Sequence, residues 1–242
     1  DVAALTETLE NVKQREEPVL IHIITEKGRG YAPALADKVT FHGCGPYDRE
    51  TGKLYKEKVG TPPAYTKVFA ETLLKMAKKD SKILAVTGAM PTGTGLSVFE
   101  KELPSQLYDV GIAEQHAATF AGGLAIEGFK PYVTIYSTFM QRAYDQIIHD
   151  ICIQNLNVKF CMDRAGFVGA DGATHHGNYD IGYMRTIPNM SLCAPRDERE
   201  LQELLKAMDK HEGPSSIRYA RGSGTGVELY SDVDQIPEIA WG

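Results

Sequence analysis

From residue 62 onward, the chain alternates between two kinds of hydrophobic pattern. Helix-length segments with one apolar face, such as "AYTKVFAETLLKMAKK", are interspersed with short runs rich in Val, Ile and Tyr. These runs are the predicted strands "KILAVTG", "LYDVG", "KPYVTIY", "NVKFCMD", "MSLCAP" and "SSIRYA". This order is typical of βα units whose parallel strands are covered on both faces. The pattern therefore predicts an α/β fold with three layers, α/β/α, and a mostly parallel sheet.

Further helices are predicted to begin at Glu114, at Ser137 (ending near Gln154) and at "DERELQELLKAM". Ligands bind beyond the carboxyl ends of parallel strands, so the loops after "DVG", "TIY", "CMD" and "IRYA" are expected to carry the chemistry. The loop "GAMPTGTGL" is rich in glycine but matches neither of the common nucleotide-binding patterns.

The first 60 residues depart from this plan. They predict one helix and one nearly all-apolar strand, "PVLIHII", before a polar stretch that contains Gly and Pro. A strand of this kind needs neighbours on both sides, which one helix and one strand cannot supply. We therefore expect residues 1–31 to be the C-terminal remnant of a first domain and residues 32–62 a linker. Residues 63–228 are expected to form a central domain, and 229–242 a linker toward an absent third domain.

Charge and cysteine content limit the classes of partner. The 26 Lys and Arg against 32 Asp and Glu give a net charge of −6, and the basic residues are dispersed. This pattern disfavours a nucleic acid or an acidic membrane as partner. The apolar runs are too short to span a bilayer and no signal peptide is recognisable, so a cytoplasmic or plastid-type interior is expected. The four cysteines lack CxxC spacing, which predicts reduced thiols and no metal site.

A carboxylate stands in the apolar, small-residue stretch "DVGIAEQHAATFAGG". Glu114 follows a strand end and opens a helix, which is where functional side chains of such sheets lie. The helix N-terminus favours the anion, whereas deep burial favours the protonated acid, which could bond a heterocyclic nitrogen and exchange that proton. The alternative is a Glu that caps the helix by bonding backbone amides.

The loop "DRAGFVGADGATHHGNYD" combines glycines with titratable residues and is longer than most structureless loops. Glycines allow a ligand to approach the backbone, and the histidines could transfer protons, although a solvated turn is the alternative. Neighbouring His175 and His176 would point in opposite directions in an extended segment, so one is expected to be spare. An aromatic at Phe139 could stack on a planar ring, and Arg142, Arg218 or Arg221 could hold an anion.

Three blocks carry a resemblance to a known family: "DVGIAEQHAATFAGGLAIEGFKPYVTIYSTFMQRAYDQIIHD", "DRAGFVGADGATHHG" and "SIRYARG". They closely resemble the central, pyrimidine-binding domain of the 1-deoxy-D-xylulose-5-phosphate synthase family. The upstream "PVLIHIITEKGRGYAPA" and "FHG" resemble the end of that family's first domain. The resemblance implies thiamine diphosphate and Mg²⁺ as cofactors and a homodimer. The implied reaction joins pyruvate, with loss of CO₂, to glyceraldehyde 3-phosphate at the start of non-mevalonate isoprenoid synthesis.

The resemblance also implies roles for individual residues. Glu114 matches the glutamate that bonds the aminopyrimidine ring, and Phe139 matches the aromatic ring stacked on it. The remaining matches are cofactor positions at Ile112 and Lys27, a proton-transfer position at His175 and a catalytic histidine near the reacting carbons at His42. The substrate positions are Tyr136, Arg142, Arg164, Asp171 and Arg221.

The sequence departs from the family in two respects, because a first-domain motif and the family's third domain are both missing. The GDG…N motif that holds Mg²⁺ and the diphosphate is absent from it, so the metal ligands are expected in a missing first domain. The 242 residues alone are therefore expected to lack synthase activity. The alternatives are the central domain of a transketolase or of a 2-oxoacid dehydrogenase β subunit, and a non-catalytic dimerisation module.

Overall fold

A computed structural model of the chain describes residues 1–55 and 60–239. Contacts divide the chain into two compact units, residues 1–59 and 60–242. Over the described residues, no helix is both long enough and apolar enough to cross a bilayer.

The first unit contains the predicted helix but not the predicted strand. Helix α1 spans Val2–Val12 and is capped by the Asp1 side chain, which accepts from the amide of Ala3. The segment "PVLIHII" forms neither helix nor strand, and Leu20 and Ile24 are 94% and 87% exposed. The strand prediction is wrong for this chain, since no neighbouring strand lies among the described residues of this unit to pair with it.

Part of the stretch predicted as a linker has structure of its own. Helix α2 (Ala32–Ala36) is followed by a 3₁₀ turn at Thr40–His42. Tyr31, Phe41 and Tyr47 form an aromatic cluster with ring centroids 5.2 to 5.9 Å apart. Edge-to-face contacts of this kind are favourable. The part of this stretch around Phe41 and Tyr47 is thus ordered by aromatic packing, a feature that Gly and Pro content does not predict.

The second unit is built on a six-stranded parallel sheet, which confirms the predicted fold class. The strand order is β2-β1-β3-β4-β6-β5. The strands are β1 (Ile83–Thr87), β2 (Leu107–Asp109), β3 (Lys130–Tyr136), β4 (Lys159–Asp163), β5 (Ser191–Cys193) and β6 (Ser215–Arg218).

Helices cover both faces of this sheet. They are α3 (Tyr65–Lys79), α4 (Ser97–Glu102), α5 (Glu114–Ile126), α6 (Ser137–Met140), α7 (Tyr144–Gln146), α8 (Asp180–Met184) and α9 (Glu198–Lys210). Short 3₁₀ turns lie at Pro104–Gln106, Gln141–Ala143, Gly169–Asp171, Ala173–His175 and Val233–Gln235. Helices α3, α4 and α9 pack on one face, where Tyr132 and Cys161 point. Helices α5, α6 and α8 pack on the other face, against Val133 and Phe160. Successive strand residues thus serve opposite cores, as a doubly covered sheet requires.

The single helix predicted from Ser137 to about Gln154 is divided. Helices α6 and α7 are separated by the 3₁₀ turn Gln141–Ala143, and α7 continues as a π-helix at Ile147–Cys152. Irregular turns of this kind often re-aim a side chain. Here the 3₁₀ turn carries Arg142.

Lys159 at the start of β4 is fully buried. Its ammonium donates to the carbonyl oxygens of His211 and Gly213, at 2.6 and 3.1 Å. Burial nevertheless lowers the pKa of Lys159 from 10.5 to about 8. Unfolding would return the amine to water, where its ordinary pKa applies, so the unfolded chain binds a proton that the folded chain has released.

We therefore expect a pH-dependent stability contribution from Lys159. Between pH 8 and 10.5 the free energy of unfolding should rise with pH, by about 3 kcal/mol from this group. Urea denaturation across this range measures it, with Lys159→Met as the comparison. The Met variant should lose that part of the rise, and an identical pH profile would contradict the assignment.

Candidate active site

Residues predicted to act in a site meet at the carboxyl edge of the sheet. Tyr136, the last residue of β3, is paired in register with Asp163, the last residue of β4. Thr87 and Asp109 end β1 and β2 in the same register. The parallel order therefore places the loops that follow these strands side by side.

Glu114 is the first residue of α5 and is buried, with 3% of its side chain exposed. Asp109 fixes the preceding turn, because its carboxylate accepts from the amides of Ala89 and Gly111 at 2.7 and 3.0 Å. The Glu114 carboxylate accepts from Arg142 Nη1 at 2.5 Å. The burial expected from the sequence is thus offset by a guanidinium, and this ion pair differs from the helix-capping alternative.

Three aromatic rings stand beside this pair. The Phe139 ring stacks on Tyr136 with centroids 5.8 Å apart, and His175 meets the edge of Phe139 at 5.3 Å. The Arg142 guanidinium lies 4.7 Å from the Phe139 centroid. Arg142 therefore contacts both groups predicted to bind the cofactor ring, Glu114 and the face of Phe139, while 45% of its side chain stays exposed.

Arg164 occupies the centre of the site. Its guanidinium is 4.1 Å from the Tyr136 ring centroid and pairs with Asp163 at 2.9 Å. Asp163 also accepts from the Arg164 amide and from Thr66 Oγ1, at 2.6 and 2.7 Å. Burial alone would lower the pKa of Arg164, but the negative charge of Asp163 raises it overall. The guanidinium therefore stays charged. Arg164 has a φ of 59°, a left-handed conformation that these contacts hold in place.

Asp171 links Arg164 to Arg221, a residue that follows β6. Its carboxylate lies 2.9 Å from Arg221 Nε and 4.0 Å from Arg164 Nε. Burial raises the pKa of Tyr136, so its hydroxyl remains protonated at neutral pH. A series of contacts thus runs from Arg221 through Asp171, Arg164 and Tyr136 to the Phe139 ring. Its two arginines suit an anionic substrate.

The loop predicted to be functional is closed at its base. Gly166 and Gly177 exchange two backbone hydrogen bonds at 2.8 and 2.9 Å. His175 faces Phe139, whereas His176 contacts Phe167 and accepts from the amide of Val168, so the two histidines differ in surroundings.

Arg218 was predicted from the sequence to bind an anion. In the structure it instead donates to residues at the end of the loop 163–180. Its Nε donates to the buried Asp180 at 2.8 Å, and its Nη2 donates to the carbonyl oxygen of Gly177. The anion role predicted for Arg218 is therefore wrong, because its donors are directed toward the protein.

The remaining predicted site residues are Ile112, Lys27 and His42. Ile112 is 79% exposed on the turn before α5, with no described contact to the Phe139 group. Lys27 and His42 belong to the first unit, where Lys27 Nζ lies 2.8 Å from His42 Nδ1. Their roles stay predictions.

Sequence reasoning missed two contributors. The carbonyl oxygen of Gly93 accepts from Arg164 Nη1 at 2.5 Å, and a Cβ at Gly93 would overlap the Tyr136 hydroxyl. Thr66, on α3, bonds Asp163. The glycines of "GAMPTGTGL" were the available signal, since they allow this close backbone approach. Across the described residues, no group of three or more His, Cys, Asp or Glu side chains is placed to hold a metal ion.

Comparison with known families decides the assignment. The family model described as "Transketolase, pyrimidine binding domain" matches residues 61–225. The chain belongs to this family. The pyrimidine-binding domain accordingly covers the whole sheet and the candidate site.

Curated relatives of this chain identify a narrower group within this family. The chain is 52% identical to 1-deoxy-D-xylulose-5-phosphate synthase 1 of Geobacter metallireducens, over 98% of this chain and 38% of the relative. It is 53% identical to 1-deoxy-D-xylulose-5-phosphate synthase of Halalkalibacterium halodurans, over 100% and 38% respectively. These matches confirm the resemblance found in the sequence. The chain spans 38% of the length of these relatives.

Solved structures agree on the fold. A split-gene transketolase, described as an inactive β4 tetramer, superposes with a TM-score of 0.60 at 30% identity, covering 67% of this chain and 53% of that chain. Transketolase of Campylobacter jejuni gives a TM-score of 0.61 at 19% identity, covering 72% and 28%.

Proposed function

We propose that these residues form the pyrimidine-binding part of a 1-deoxy-D-xylulose-5-phosphate synthase. The proposed reaction condenses pyruvate, with loss of CO₂, and glyceraldehyde 3-phosphate to 1-deoxy-D-xylulose 5-phosphate, in the cytoplasm or an organelle interior. The observation that carries the proposal is Glu114, a buried carboxylate after a strand's carboxyl end, whose partner Arg142 also contacts the Phe139 ring. The 52% identity to a synthase of that name supports it.

The donor set fits the ring of thiamine diphosphate. A buried carboxylate can share a proton with a ring nitrogen, and Phe139 offers an aromatic face next to it. When bound, the cofactor supplies a nucleophilic carbon for attack on pyruvate. Arg142 contacts both Glu114 and Phe139, and it would have to leave at least one of these two side chains when the cofactor ring binds. Its exposed side chain leaves it free to do so.

Each remaining residue has a proposed task of its own. Glu114 would hold or release the proton of the ring nitrogen, and His175 would move protons at the substrate. Arg164 and Arg221 would bind the phosphate of the aldehyde, with Tyr136 and Asp171 beside them, because guanidinium groups pair well with phosphate. His42 and Lys27, in the first unit, are proposed to act near the reacting carbons and the cofactor. Ligands for Mg²⁺ are proposed to lie outside these residues.

We also propose that the protein acts as a homodimer. Apolar side chains beside α5 are exposed, among them Ile112 at 79% and Ile126 at 64%. Exposed apolar surface of this kind is typical of subunit contacts. Sedimentation equilibrium measures the oligomeric state.

A product assay tests the proposed reaction. The chain, joined to the remaining sequence found in its synthase relatives, should form 1-deoxy-D-xylulose 5-phosphate from pyruvate and glyceraldehyde 3-phosphate in the presence of thiamine diphosphate and Mg²⁺. Two-carbon transfer between sugar phosphates, without use of pyruvate, would favour a transketolase instead. The 242 residues alone are expected to form no product, and thiamine-dependent synthesis by them would contradict that expectation.

A further inference from the structure

Arg221 begins a glycine-rich segment whose backbone loses much entropy when it is ordered. It opens the sequence "RGSGTG", in which Gly222 and Gly226 have φ values of 114° and 88°. Glycine has more backbone freedom than any other residue, so such a segment loses much entropy when it is ordered. The Arg221 side chain is itself 41% exposed and pairs with Asp171. Something beyond this ion pair must hold its backbone.

Glu198 provides that hold. It is fully buried, and its carboxylate accepts from the amides of Thr225, Gly226 and Val227 at 2.9, 2.6 and 3.2 Å. The Thr225 hydroxyl adds a fourth bond at 3.2 Å. Burial alone would raise the pKa of Glu198, yet hydrogen bonds from its own amide and from Thr225 and Gly226 lower it overall, so the group remains an anion.

Helix capping does not account for this carboxylate. Asp197 already caps α9, because its side chain accepts from the amides of Arg199 and Glu200. Apart from its own amide, the Glu198 carboxylate therefore bonds the glycine-rich segment rather than the first turn of α9. An anion bound by three successive amides is a strong anchor, since charged hydrogen bonds exceed neutral ones.

The glycines of the segment permit this contact. A Cβ at Gly224 would overlap the Glu198 carboxyl group. The amide of Gly224 donates to Pro63 at 2.9 Å, and the carbonyl oxygen of Gly222 accepts from Tyr65 at 3.0 Å. The backbone next to Arg221 is thus held on one side by the start of α3 and on the other by Glu198.

The same face of α9 offers a matched comparison. One turn after Glu198, Gln202 bonds both the amide and the carbonyl oxygen of Tyr230, at 2.9 and 3.2 Å. One further turn on, Lys206 bonds the carbonyl oxygen of Val233 at 3.2 Å. These contacts hold residues 230–233, which lie farther along the chain from Arg221 than the residues that Glu198 holds.

We propose that Glu198 is a positioning residue for Arg221. By fixing Thr225–Val227 it sets the backbone that presents the Arg221 guanidinium to the anionic group of the substrate. The identity of that anion, a sugar phosphate, rests on the proposed function, whereas the anchoring does not. A small displacement of a binding side chain can cost about ten- to a hundredfold in binding or rate.

The test compares Glu198→Gln with Gln202→Leu in the 242-residue chain. Amide hydrogen exchange should become faster at 222–227 in Glu198→Gln, but only near Tyr230 in Gln202→Leu. The dissociation constant of glyceraldehyde 3-phosphate should rise at least about tenfold in Glu198→Gln alone. The affinity for glyceraldehyde, which lacks the phosphate, should not change. Glu198→Asp keeps the charge but shortens the reach, so it should give intermediate values and serves if the Gln variant does not fold.

Two results would overturn the positioning role. One is unchanged exchange at 222–227 in a folded Glu198→Gln chain. The other is an equal loss of phosphate affinity in both variants, which would indicate a general structural effect. If the unaltered chain binds no glyceraldehyde 3-phosphate, the phosphate assignment of the proposed function fails, and exchange at 222–227 decides the anchoring by itself.

Discussion

Glu114→Gln should lower the rate of product formation by about two to four orders of magnitude when measured in the complete synthase. The amide keeps the size of the side chain and some hydrogen bonding, but it cannot exchange a proton with a ring nitrogen. Folding should be little affected, because Arg142 is 45% exposed and can turn to water when its partner loses its charge. The comparison is made at saturating cofactor, so that weaker binding and slower chemistry are separated.

Glu127→Gln is the control for this change. Glu127 directly follows α5, the helix that Glu114 opens, but it is exposed, and the same chemical change there should leave the rate within about twofold. If both variants were equally active, proton exchange at Glu114 would be excluded. If both were equally impaired, the effect would belong to the helix.

Asp163→Ala should be the most destabilising single change in the site, lowering the free energy of unfolding by about 3–5 kcal/mol. The Asp163 side chain is fully buried, and its removal leaves the Arg164 guanidinium, 14% exposed, without its anion. The left-handed backbone of Arg164 also loses the bond that its amide makes to Asp163. Urea denaturation measures the difference.

Asp171→Ala provides the matched control for Asp163→Ala. Asp171 pairs with Arg221, whose side chain is 41% exposed, and solvent screens such a pair. The expected loss is about 0–1 kcal/mol. Equal losses in the two variants would show that burial of the Asp163 pair contributes nothing to stability.

The hydrophobic pattern predicted most of the sheet because each buried strand is a short apolar run. The strand predicted as "KPYVTIY" forms with those limits, and its neighbours differ by one or two residues at the ends. The pattern failed at "PVLIHII", where strand formation depends on partners that the local sequence does not reveal. It also missed α4 and α8, since helices of six and five residues present too few turns to show a period.

The site residues that follow strand ends could be anticipated, because topology alone brings such loops together. The ion pairs that these residues form with one another could not be predicted. Glu114 and Arg142 are 28 positions apart, and nothing in the local pattern selects Arg142 over the other arginines as its partner. Glu198 was missed because a polar residue at the start of a helix is ordinarily a surface or capping residue. Only the path of the glycine-rich segment reveals its role.

The strand order predicts different mobility for different parts of the candidate site. Strands β3 and β4 are bonded to neighbours on both sides, so Tyr136 at the end of β3 and Arg164 directly after β4 stand on a backbone that resists deformation. Glu114 instead follows β2, a three-residue strand at the sheet margin, and Arg221 leaves the sheet on glycines. We therefore expect Glu114 and Arg221 to shift more readily than Tyr136 and Arg164.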